Sequence, residues 1–123
     1  MGRIKAIKRA RHASGAVARE LRRAGVFARL EAVQKAMSAP DFGPRFRARI
    51  TGAEADGQIP GVPELQAVLY RFLREDLGLD TDGVQVFIDW QPHLRRKLTF
   101  GFAPTVAATQ RAKDVVDGKL ATA

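Results

Sequence analysis

The sequence predicts an α+β fold: two N-terminal helices, one packed central helix and a short C-terminal helix around a small, mainly antiparallel sheet with a C-terminal hairpin. Three observations predict it. Apolar residues recur at helical spacing over residues 4–38 and 63–77, apolar and polar residues alternate in two runs between residues 84 and 102, and glycine or proline separates these segments from one another. The expected order is α, α, β, α, β, β, α.

In the opening segment, with successive side chains 100° apart, Ile7, Ala10, Val17, Leu21 and Ala24 share one face. Lys5, Lys8, Arg9, Arg11, His12, Arg19, Arg22 and Arg23 lie opposite. Val26, Leu30, Val33 and Met37 form a second stripe about half a turn around, so one straight helix cannot bury both stripes against the same surface. Gly25 lies between them and is the expected break, because glycine costs about 1 kcal/mol inside a helix and readily ends one. Helices over 4–24 and 26–38 follow. Gly15 frays the first, which sets off residues 1–13 as a basic arm and leaves 14–123 as a single α+β domain.

"SAPDFGP", residues 38–44, carries two prolines and a glycine and is expected to stop helical structure. Beyond it, Phe46, Ala48 and Ile50 alternate with Arg45, Arg47 and Arg49, which predicts a half-buried strand displaying three arginines. "GAEADGQIPGVP" reads as an exposed loop. Pro63 and Glu64 suit a first helical turn, and Leu65, Val68, Leu69, Phe72, Leu73 and Leu77 form the broad apolar face of the central helix, which Gly78 closes.

After a turn at "DTDG", Val84, Val86, Ile88 and Trp90 alternate with Gln85, Phe87 and Asp89. Leu94, Arg96, Leu98, Phe100 and Phe102 alternate with Arg95, Lys97, Thr99 and Gly101, so the two runs pair as a hairpin across "QPH". Pro104 ends the sheet, and Thr105 caps an alanine-rich helix reaching about Asp117. Phe87, Trp90, Phe100 and Phe102 cluster within sixteen positions, and the core is expected there.

A chain of 123 residues supports one core. It lacks cysteine, which excludes disulfides and thiolate metal sites and favours a cytoplasmic setting, or a particle assembled in the cytoplasm. No apolar run reaches the ~20 residues that cross a bilayer, and no membrane role is expected. The net charge of +8 is uneven: residues 1–50 hold thirteen Lys and Arg against three acids, while residues 51–123 hold eight against ten. Such asymmetry suits an acidic partner, either nucleic acid or a protein, including another copy of the chain.

The candidate partner- or phosphate-binding residues are Lys5, Lys8, Arg9, Arg11, Arg19, Arg22 and Arg23 on the opening segment, with Arg45, Arg47, Arg49, Arg95 and Lys97 on the sheet. Arginine binds phosphate or carboxylate with two parallel hydrogen bonds, and a helix with few offsetting acids on its cationic face is available for such contacts. Trp90 beside "RRK" is read as a core residue, and His93 as a turn residue. The acids Asp76, Asp80, Asp82 and Asp89 fail an EF-hand register at the first ligand, where Gly78 stands, so no metal and no cofactor are expected.

Catalytic motifs are missing: there is no thiol, nucleophile elbow, phosphate-binding glycine loop or HExxH helix. Neither the GXXG loop of KH domains nor the RNP aromatics of RRM domains is present. The expectation is a non-enzymatic structural or assembly subunit of a virion, connector or ribonucleoprotein type, docking through its basic helix as a homo-oligomer or with other subunits. The alternative is a free-standing, sequence-independent DNA- or RNA-binding protein that uses the same helix and the arginine strand.

Overall fold

The computed structural model describes residues 15–55, 61–90 and 98–120. The elements run α1 (Gly15–Arg23), α2 (Val26–Met37), α3 (Phe42–Ala55), α4 (Val62–Arg71), β1 (Val84–Trp90), β2 (Leu98–Pro104) and α5 (Val106–Val116). One wide π-type turn, Phe72–Asp76, prolongs α4. The α+β class and the general layout match the sequence reading; the basic arm over residues 1–13 lies outside the described residues.

The break at Gly25 is observed. Its backbone is left-handed, with φ of 82°, and its N–H closes α1 by donating to Arg22 O at 3.0 Å. The chain then re-enters a helix with its apolar stripe turned, so that Val17 and Leu21 of α1 and Val26, Leu30 and Val33 of α2 all reach one core. α1 packs chiefly against α5, and α2 lies over the sheet.

Residues 45–51 form a helix, not the expected strand. They belong to α3, which begins at Phe42 inside the segment read as a stop. Pro44 occupies its third position, where the missing N–H has no intrahelical acceptor to lose. The inward residues are Phe42, Phe46, Ile50 and Ala53, at spacings of four, four and three, while Ala48, expected to be buried, is exposed. The period-two pattern is a six-residue fragment of this longer helical one.

β1 and β2 pair antiparallel, with Val84 opposite Pro104, Val86 opposite Phe102 and Ile88 opposite Phe100. The sheet ends at Pro104 as expected, with Pro104 itself the last residue of the ladder. The Val86 N–H donates to Tyr70 Oη at 2.8 Å, so Val86 faces away from β2, and by the alternation of an antiparallel ladder its opposite number and Pro104 also sit at pairs without cross-strand bonds. Pro104 thus removes no ladder bond.

The free edge of β1 is closed by α4. Tyr70 Oη also donates to Val84 O at 3.2 Å, and Gln66 Nε2 donates to Val86 O at 2.8 Å. Thr105 caps α5 as expected, its side chain accepting from the Ala108 N–H. The Thr105 N–H bonds Gly83 O at 2.9 Å, tying the start of α5 to the turn before β1.

The core takes in Phe100 and Phe102 of the expected late cluster but draws its other aromatic residues from the helices, and the side chain of Trp90 lies outside what is described. The aromatic cluster is Phe42, Phe46, Phe72 and Phe100, with ring centroids 5.5–6.5 Å apart. Phe102 is buried, but Phe87 is 48% exposed on the outer sheet face. Leu65, Leu69 and Leu73 complete the core from α4 and its extension.

Candidate functional site

α1 has one narrow apolar side. Val17 and Leu21, one turn apart, are buried against α5 and α2, which turns Arg19, Arg22 and Arg23 outward. The three differ in their surroundings. Arg23 holds Glu20, with Nη2 to Oε2 at 2.6 Å and Nε to Oε1 at 2.9 Å. This hydrogen bond keeps the Glu20 carboxyl below its ordinary value against partial desolvation, and raises Arg23 in turn. The Arg22 guanidinium lies 5.6 Å from the centre of the Phe27 ring, and Arg19 is exposed. Among the described residues, neither Arg19 nor Arg22 has a carboxylate partner.

The arginine strand is replaced by a helix, which separates its three members. Arg45 reaches Asp41 at 3.6 Å and lies 5.6 Å from the Phe72 ring centre. Arg49, one turn on, reaches Glu75 at 3.1 Å and Asp76 at 3.6 Å, clamping α3 to the end of α4. Arg47 points elsewhere and is exposed. No single sheet face gathers Arg45, Arg47 and Arg49, because successive helical residues diverge by 100°. Lys5, Lys8, Arg9, Arg11, Arg95 and Lys97 lie outside the described residues, as does His93.

The acidic middle is partly matched from within. Arg49 and Arg71 share Glu75, Arg29 approaches Asp82 at 4.0 Å, and Asp80 accepts the Asp82 N–H at 2.9 Å. Among the described residues no three His, Asp or Glu side chains converge on a common point.

One site escaped the sequence reading. A cleft of about 520 Å³ opens between α1, α5 and the turn before β1. Its rim carries Arg23, Arg29 and Arg111 with Glu20 and Asp82, and its floor is Leu21, Val26 and the alanines of α5. Arg29 is fixed across the turns, donating to Asp82 O at 2.7 Å and to Ala24 O at 3.1 Å. The available signal was the spacing Ala107, Ala108, Arg111, Ala112, Val115, one face of a helix with an arginine among small residues.

Compared with protein-family models, with curated proteins and with solved structures, the chain matches none. Among the described residues no helix is long and apolar enough to cross a membrane.

Proposed function

We propose that this chain is a non-enzymatic subunit of a larger assembly and docks on an acidic surface through the outward flank of α1. The observation that carries the reading is the pairing of opposites on α1: Val17 and Leu21 anchor it to the body, while Arg19 and Arg22 face outward with no carboxylate partner among the described residues. Arginines on a fixed helix dock without the cost of ordering a backbone, which a flexible cationic segment would have to meet. The net charge of +8 points to an anionic partner.

The partner is better sought outside the chain than in its own acidic middle, where Glu75 and Asp76 already hold Arg49. The intracellular, particle-associated setting is part of the same reading. Free-standing DNA or RNA binding is less well supported, since the arginine strand it invoked is a helix with Arg45 and Arg49 engaged.

Size-exclusion chromatography with light scattering, with and without nuclease, tests the proposal. A defined oligomer or a co-purifying particle that survives nuclease is the expected result. A nuclease-sensitive complex would replace it with nucleic-acid binding, and a monomer that captures neither protein nor nucleic acid at low salt would reject both.

A further inference from the structure

The cleft between α1 and α5 has no part in the docking surface, and it combines an apolar floor with a charged rim. Its volume of about 520 Å³ lies within the range of small-molecule pockets, roughly 300–1,000 Å³. It stays open because α5 turns small residues toward it: Ala107, Ala108 and Ala112 stand where leucines would fill the space, and Gly83 closes the lower end. A Cβ on Gly83 would meet Val26 Cγ2 at 3.2 Å and Ala108 Cβ at 3.4 Å, so the floor there is already in contact.

The rim is cationic in a specific way. Three guanidinium groups arrive from three helices, Arg23 from α1, Arg29 from α2 and Arg111 from α5, against two carboxylates. Both carboxylates have partners: Arg23 binds Glu20, and Arg29 stands 4.0 Å from Asp82. Arg111 has no ion-pair partner among the described residues, although it lies within electrostatic reach of Glu20. Arg23 and Arg29 are held in place by their existing hydrogen bonds, so an incoming anion meets donors that are already ordered. Among the described residues, three positive and two negative groups leave one unit of positive charge, which matches a monoanion.

We propose that this cleft binds a small organic carboxylate with a compact apolar body, its carboxylate on Arg111 and its body on the alanine floor. A guanidinium takes a carboxylate through two parallel hydrogen bonds, and the floor offers apolar contact to the body. The docking flank, Arg19 and Arg22, is absent from the cleft lining, so the two proposals stand or fall separately.

The test is a backbone-amide NMR titration of the full chain with 3-phenylpropionate, with the neutral 3-phenylpropionamide and with acetate. Saturable shifts at Ala107, Ala108, Ala112 and Val115 are expected with 3-phenylpropionate, and much weaker ones with the amide or acetate. R111Q is expected to weaken binding about tenfold, the scale of one lost charge-assisted contact. Arg111 is exposed, so that variant keeps the fold. A107L, at an exposed lining position, is expected to block the body without touching the rim charges. R19Q/R22Q is expected to leave the titration unchanged. Equal binding of acid and amide, an R111Q variant that binds as well as the parent, or shifts confined to α1's outer flank would each overturn the proposal, as would no saturable shift at millimolar concentrations.

Discussion

Tyr70 shows how much one side chain of α4 decides. Its hydroxyl both accepts from Val86 N–H and donates to Val84 O, closing a strand edge that no third strand covers in the described sheet. Tyr70→Phe leaves those groups without their partner at a half-buried site, and urea unfolding should show a loss of about 1–3 kcal/mol. Burial pushes the Tyr70 phenol above its ordinary value of 10.0, while the Val86 hydrogen bond and Arg74 partly offset this. A phenol raised on folding stabilises the protein below its unfolded pKa, and that contribution is lost as pH rises through the folded value. Stability should therefore fall above pH 10 in the parent more steeply than in Tyr70→Phe. By contrast, Arg49→Ala removes an exposed pair with Glu75 and should cost at most about 1 kcal/mol, less in high salt. Neither role of Tyr70 is visible in sequence, since both depend on where α4 lies beside β1.

At the scale of elements, α3 is the instructive case. "RFRARIT" taken alone alternates as a strand does, but extended to Phe42 and Ala53 its apolar residues keep helical spacing, and the helix wins because that set reaches the Phe72 and Phe100 rings together. Two substitutions discriminate. Gly52 lies within α3 with nothing within 4 Å of an added Cβ, so Gly52→Ala should stabilise by about 0.5–1 kcal/mol. A destabilised Gly52→Ala, read by denaturant midpoint, would argue against helix there. Phe46→Ala should cost about 3–5 kcal/mol, because Phe46 is fully buried among three other phenylalanines. The break at Gly25 and the Thr105 cap, in contrast, were legible, since each is set by one residue's local chemistry and not by a distant partner.

For the whole molecule, the division into a basic first half and a mildly acidic second half survives folding only in part. Arg49 crosses from one half to the other to bind Glu75 and Asp76, and Arg29 does the same at Asp82, so contact between halves is partly internal. Among the described cations that stay outward without a carboxylate partner are Arg19 and Arg22 on the flank of α1. Replacing Arg19 and Arg22 by Gln should weaken association with the acidic partner and make the remaining binding less sensitive to salt, while the thermal midpoint shifts by less than about 3 °C. Calorimetry and light scattering on the same variant separate the two effects, and a large loss of stability would mean that the flank serves the fold and not a partner.

The sequence by itself determined the α+β class, the break at Gly25, the apolar face of α4, the antiparallel pairing of β1 with β2 though not its register, and the cap of α5, because periodicity, glycine backbone freedom and side-chain capping act over a few residues. Only the tertiary structure decided that Arg45 and Arg49 hold acids of the same chain, that Phe42 and Phe46 and not Phe87 enter the core, and that α1 and α5 stand apart enough to leave a cleft. Those outcomes depend on distances between residues far apart in the chain, and such distances are fixed only when the helices pack.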